Sequence, residues 1–347
     1  MLARVFRVRD TRVFLHFHDF DPEELREPSG KWTKGSGGGA TAKPTSSRGG
    51  RASANFQPLE KGPVIKGKGQ TWTLPGGKPL PSHLKKLLES KKIPPGWTNP
   101  RFNPDPKGHL VVVGEDSKGR TQPLYSVKHD QSQAADKFRR SQILDDGKFD
   151  KIMAKNQQAK KSRDPRTREL AAVLSLIMHS GIRPGSDVDT GADYKSYGAT
   201  TLEGQHVVTD KDGNTSLVYV AGKHKGKDVT IKITDPEIAK DLQDRAKQVG
   251  EGNQLFPQSD ARRLLAHVKG VAGKDFKTKD FRTLIGTKVA GNEVASMPVP
   301  KDPKEYKRFV TAVATKVSET LGNTPAVALQ SYISPHVFAS WKMASGA

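Results

Sequence analysis

The period of the apolar residues changes partway along the chain, and the change divides it. Between residues 93 and 127 the stretch IPPGWTNPRFNPDPKGHLVVVGEDSKGRTQPLYSV carries Pro94, Pro95, Pro104 and Pro106, which break any helix. Its apolar runs, HLVVV and TQPLYSV, are short, strand-like and separated by the polar GEDSKGR. They predict a small β-rich unit with Trp97 in its core. Further on the period becomes helical. In RDPRTRELAAVLSLIMHSG (163–181), Leu170, Val173, Leu174, Ile177 and Met178 share one face. Asp164 can cap that helix, Pro165 suits its first position and Gly181 can end it.

Alternation returns in QHVVTDKDGNTSLVYVAGKHKGKDVTIKI (205–233), which predicts three antiparallel strands. Asp212-Gly213 makes the first turn and a basic loop, 222–228, the second. A helix at about 280–290 turns Phe281, Leu284, Ile285 and Val289 inward and leaves Arg282 off that stripe. Another, 304–321, buries Phe309, Val313, Val317 and Leu321 and stops at Gly322. Thr324 can cap, and Pro325 start, a short helix carrying Tyr332; Pro335 forbids much continuation.

Residues 1–75 read differently. VFLHFHDF (13–20) alternates like a strand, but 31–56 is Gly-, Ser-, Thr- and Lys-rich with few apolar residues. Such a composition cannot bury enough surface to offset chain entropy, so a mostly disordered linker is the expectation. DPEELREPSGKWTKG (21–35) is similar to a short stretch of tailed-phage structural proteins. The chain thus reads as α+β: an N-terminal extension (1–75), a β-rich amino domain (76–150) and a mainly α-helical domain (151–347) with a three-stranded antiparallel sheet.

Charge points to the partner. The 58 Lys and Arg outnumber the 37 Asp and Glu among 347 residues, a formal charge of +21. A field of that sign concentrates polyanions and speeds encounter with them. No apolar run approaches the roughly 18–20 residues of a membrane span. The N-terminus lacks the continuous apolar core of a signal peptide. With no cysteine there are no disulfides, thiolate metal sites or cysteine nucleophiles, which suits an intracellular protein. His16, His18, Asp19 and Asp21 mimic a metal cluster but are better explained by strand alternation. Gly62, Gly67 and Lys68 approach a phosphate-binding loop, yet Gly69 replaces its Ser or Thr. Neither a metal, a cofactor nor a nucleotide is expected.

Candidate chemistry lies in a dispersed series: Arg183 in HSGIRPGS, Lys223 in VAGKHKGKD, Arg282 in KTKDFRT, then Asn323 and Tyr332 in LGNTPAVALQSYISP. Phosphodiester exchange by a tyrosine needs a nucleophile in line with phosphorus and neutralisation of the non-bridging oxygens. It also needs a proton for the leaving oxygen. Arginine suits the second task, because its planar, permanently charged fork binds phosphate oxygens in pairs. Lys223, on a hairpin tip, can donate a proton, although Lys225 and Lys227 crowd the same loop.

In this order the series resembles the type IB DNA topoisomerases, specifically their small poxviral and bacterial branch, and less closely the tyrosine recombinases. The likeness runs from about residue 76 to the C-terminus. It implies Tyr332 as nucleophile, Arg183 and Arg282 as phosphate ligands, and Lys223 as the acid that expels the 5′ hydroxyl. Asn323 stands where the family often has histidine and offers an N–H donor without the imidazolium charge. In the amino domain a PPAW-like turn and a GRD-x-x-GR-x-Q-Y pattern align His109, Arg120, Gln122 and Tyr125 with DNA contacts. Glu115 replaces an arginine there and Pro123 a tyrosine. Lys225, Lys227 and Lys279 are further expected DNA contacts. The family implies double-stranded DNA as partner, no membrane, a monomer, and ATP-independent relaxation of supercoils in the cytoplasm of a prokaryotic or phage-infected cell. Recombinases usually show His-x-x-Arg at the second arginine, where this chain has Lys279-Asp280-Phe281-Arg282. A tyrosine site-specific recombinase and a non-catalytic DNA-binding phage protein remain the alternatives.

Overall fold

The computed structural model describes residues 55–65, 69–117, 119–185, 197–220 and 228–347. The expected strand at 13–20, the expected linker at 31–56 except its last two residues, the His16–Asp21 group and the basic loop with Lys223, Lys225 and Lys227 lie outside the described residues.

The amino module starts earlier than its composition suggests. Strand β1 (Gln57–Pro58) pairs with β4 (Thr98–Phe102), which continues to β5 (Leu110–Glu115) and β6 (Thr121–Tyr125) in one antiparallel sheet. Strands β2 (Glu60–Ile65) and β3 (Gly69–Thr73) form a separate hairpin, so Gly62 and Gly69 sit on two strands and not on a loop before a helix. Leu59 and Trp72, both ahead of residue 76, are buried with Trp97, Phe102 and Val112. Helix α1 (Ser82–Ser90) adds Leu84 and Leu87 to that core. Strand β5 is central in the sheet and buried along Val111–Gly114, which explains a continuous apolar run without alternation.

Helix begins well before residue 150. Helix α2 (Val127–Ile143) runs through a π-type turn into α3 (Phe149–Lys160). Only Arg140 and Ser141 of α2 are buried, so its sequence shows no apolar stripe to betray it. Its start is set by Ser126, whose hydroxyl accepts from the His129 N–H at 3.3 Å. Helix α4 (Pro165–Ser180) follows the expectation closely: the Asp164 carboxylate caps it and Gly181, at φ 66°, closes it. Yet it is buried all round, Ala171, Ala172 and Leu176 included, because it is the central rod of the domain.

The sheet β7 (Val207–Thr209), β8 (Thr215–Val220) and β9 (Asp228–Ile233) is antiparallel in sequence order. It packs with α5 (Pro236–Val249), α6 (Ala261–Ala272) and α4 in one core. A second core joins α8 (Pro303–Leu321), the short α9 (Pro325–Ser331), Phe338 and Trp341 of α10 (Ala339–Ser345). Helix α7 (Thr278–Ser296) serves both: Phe281 and Leu284 enter the first core, Ala290 the second. Among the described residues no helix is long and apolar enough to cross a membrane.

Candidate active site

Arg282 lies on α7 where the two cores meet. The sequence places it off the apolar stripe, but it is not at the surface: only 2% of it is exposed. Its guanidinium is held by the ends of two helices. One nitrogen donates to the carbonyl of Gly181, just past α4, and the other to that of Leu321, the last residue of α8, at 3.0 Å. Terminal carbonyls lack helical partners and carry the negative end of the helix dipole, so they suit a buried cation. Its Nε finds no partner in the protein. Burial lowers the Arg282 pKa, Tyr332 raises it, and the charge of Arg183 lowers it again.

Tyr332 caps the C-terminus of α9, one residue beyond the helix the sequence assigns to it. The Arg282 guanidinium stacks over its ring at 4.9 Å from the centroid. The backbone of Tyr332 is tightly held. Its carbonyl accepts from Thr287 Oγ1 at 3.2 Å, and that oxygen accepts in turn from the Ser334 N–H at 3.1 Å. Its own N–H donates to Ala328 at 2.9 Å.

Arg183 follows Gly181 by two residues, as expected. The Ala199 N–H donates to its carbonyl at 2.7 Å and the Thr200 N–H to that of Pro184 at 2.8 Å, so its backbone is pinned beyond a rigid helix. Its charge reaches both Arg282 and Tyr219. Tyr219 on β8 is a residue that sequence reasoning missed. Burial raises its pKa, and the charges of Arg282 and Arg183 oppose this. The inward parity it shares with Leu217 was its only sequence signal.

Asn323 follows Gly322, which closes α8 at φ 58°. The side chain is 7% exposed, yet neither its Oδ1 nor its Nδ2 has a hydrogen-bond partner. A buried amide normally finds partners, because leaving it unpaired costs about 1–3 kcal/mol. Such a group fits a polar ligand that arrives from outside. The same view applies to the unpartnered Nε of Arg282.

A further device supports the site from below. Asp280, fully buried, takes Arg140 of α2 at 2.9 and 3.3 Å and the Lys277 N–H at 2.8 Å. It helps cap the start of α7, two residues before Arg282. Lys277 has its pKa lowered by burial and by the charges of Arg140 and Lys279, so a basic cluster gathers at this helix end. Lys279 itself is exposed.

The amino-module candidates fall into two groups. The Tyr125 ring stacks on His129 at 4.6 Å, and His109 lies 5.3 Å from His129. Arg120 and Gln122 both bind the Asp116 carboxylate, at 2.8 and 2.9 Å. Glu115 accepts from Asn99 at 3.1 Å. Pro123 lies on β6, the edge strand, where a missing N–H is tolerated.

Residues 126–339, well over half of the chain, match the family described as eukaryotic DNA topoisomerase I, catalytic core. That match opens at Ser126, the cap of α2, and so takes α2 with the helical part. A helical core with a flanking three-stranded sheet and a buried arginine stacked on a tyrosine is thus the catalytic core of a DNA topoisomerase. Over 260 residues the chain is 27% identical to DNA topoisomerase 1B of Acanthamoeba polyphaga mimivirus, covering 71% of this chain and 76% of that protein. The chain belongs to the type IB DNA topoisomerases.

Proposed function

We propose that this topoisomerase relaxes supercoiled double-stranded DNA through a 3′-phosphotyrosyl link at Tyr332. The observation that carries the reading is that Arg282 lies over the Tyr332 ring and donates to the carbonyl of Gly181, two residues before Arg183, so three distant parts of the sequence meet at this arginine. The Tyr332 hydroxyl attacks phosphorus in line and the 5′ oxygen leaves. Arg183 and Arg282 neutralise the charge that develops on the non-bridging oxygens. The Arg282 guanidinium and the Arg183 backbone are held before substrate arrives, and preorganised charge is usually the largest catalytic contribution. The Asn323 amide adds a donor that has no competing partner inside the protein.

Lys223 follows the strand that carries Tyr219, and its chemistry suits delivery of the proton to the leaving oxygen. The broken strand swivels about the intact one, and the returning 5′ hydroxyl reverses the exchange. One phosphodiester is traded for one tyrosyl ester, so resealing needs no ATP and one active site suffices in a monomer. His109, Arg120, Gln122, Tyr125, Lys225, Lys227 and Lys279 would hold the duplex in register, in the cytoplasm of a prokaryotic or phage-infected cell.

Incubation with positively and negatively supercoiled plasmid, in EDTA and without nucleotide, tests the reading. Relaxation of both is expected, and Tyr332→Phe should bind DNA but form no covalent adduct. Relaxation only on addition of nucleotide, or an adduct on Tyr219 or Tyr306, would refute it.

A further inference from the structure

The turn that presents Tyr332 is gripped from two sides, and only one grip comes from the helix that carries Arg282. On the α7 side, Gly286 and Thr287 meet the Tyr332 backbone. On the other side, Lys137 of α2 donates from Nζ to the carbonyl of Ser331 at 2.9 Å, across 194 residues of sequence. Ser331 is the last residue of α9, so this is one of the terminal carbonyls without a helical partner. A half-buried ammonium at a helix C-terminus meets both that need and the negative end of the dipole.

Lys137 does not reach that carbonyl by chance of a mobile surface chain. Arg140 stands three residues further along α2, on the same face, and its buried pair with Asp280 fixes α2 against the start of α7. The other end of α2 is tied to the amino module. Lys91 donates to the Tyr125 carbonyl at 2.8 Å and pairs with Asp130, and Tyr125 stacks on His129. One rigid helix therefore runs from the module expected to hold DNA to the residue before the nucleophile.

We propose that Lys137 is a positioning residue for strand cleavage: through Ser331 it sets the backbone from which Tyr332 reaches phosphorus. This rests on the reading of Tyr332 as the nucleophile. Misplacing a reacting group by a fraction of an ångström costs rate without costing ground-state binding. Because the same tyrosine is used to cleave and to reseal, both directions should suffer alike.

The test uses the full chain with a labelled duplex under single-turnover conditions, and DNA affinity measured in a Tyr332→Phe background. Lys137→Met should slow cleavage and religation each by about 10-fold, with affinity and the cleavage equilibrium changed by no more than about 2-fold. Lys137→Arg should recover most of the rate. Should Lys137→Met melt below the assay temperature, Lys137→Gln carries the same comparison. Cleavage by Lys137→Met at the parent rate would overturn the proposal. So would lost affinity with a salt slope shallower by about one at an unchanged single-turnover rate, which marks a phosphate contact. A rate loss equal in Lys137→Arg and tracking the melting temperature marks a structural role and overturns it too. Failure of the underlying reading is visible separately, as an adduct that survives in Tyr332→Phe.

Discussion

Gly286→Ala is expected to slow DNA cleavage by about 10- to 10²-fold while lowering stability by no more than about 2 kcal/mol. An alanine Cβ at this point of α7 would lie 2.7 Å from the Tyr332 carbonyl oxygen, 3.0 Å from its Cβ and 3.1 Å from Leu321 Cδ1. Leu321 can rotate away. The carbonyl cannot, because Thr287 Oγ1 and the Tyr332 N–H bond to Ala328 hold the turn. Moving from 2.7 Å to the 3.4 Å at which ordinary contact begins requires a shift of 0.7 Å. A displacement of about 1 Å in a reacting group costs roughly 10²-fold, which sets the expected range. Stability has two opposing contributions. Alanine favours a helix interior by about 1 kcal/mol over glycine, whereas overpacking costs about 1–3 kcal/mol. The net loss should be about 0–2 kcal/mol. Single-turnover cleavage of a labelled duplex and parallel thermal melts measure both. Cleavage at the parent rate would show that the contact does not hold the nucleophile, and the argument for a clamped turn would fail.

Asn323→Ala should slow cleavage by about 10- to 10²-fold, worth about 1.4–2.7 kcal/mol in the transition state. The same change should leave melting unchanged or raise it, because it removes two buried unpaired atoms; a lower melting temperature would contradict this. Breaking the buried pair with Asp280→Asn or Arg140→Met should each destabilise by about 3–5 kcal/mol, and the double substitution by less than their sum; additivity in urea melts would sink the coupling. His129, His179, His267 and His336 all have pKa values lowered in the fold, with burial the leading cause of each. The unfolded chain then binds more protons just below the ordinary histidine value. Stability should therefore be full above about pH 6.5 and fall as acidification passes through it. Melting temperatures that stay flat or rise from pH 7.5 to 5.5 would refute this.

Much of the catalytic half is legible locally. Asp164-Pro165 and Gly181 mark the bounds of α4, and Thr324-Pro325 the start of α9, because caps and proline act within a turn of themselves. The three-stranded sheet follows from alternation and the Asp212-Gly213 turn. Helix α5 carries the same kind of signal, Asp235 before Pro236, with Ile238, Leu242, Ala246 and Val249 on one face. The candidate series Arg183, Arg282, Asn323 and Tyr332 is also legible, since residue type and order survive in a linear string. Distance does not. That Arg282 is buried, and held by the ends of α4 and α8, depends on three helices meeting, which no local pattern encodes.

Helix α2 shows the limit most plainly. It is polar along nearly its whole length, so hydrophobic periodicity is blind to it. Its place comes from polar contacts, among them Arg140 with Asp280, Lys137 with Ser331 and Lys91 with Asp130, that join segments far apart in sequence. Composition likewise ends the extension at residue 75, while Leu59 and Trp72 join the amino core because β1 finds its partner in β4. By itself the sequence determines which residues can do chemistry and where most helices start and stop, since those are short-range properties. Only the tertiary structure decides which terminal carbonyls face Arg282, which backbone clamps Tyr332 and which amide is left unpaired. Each of these is a meeting of segments far apart along the chain.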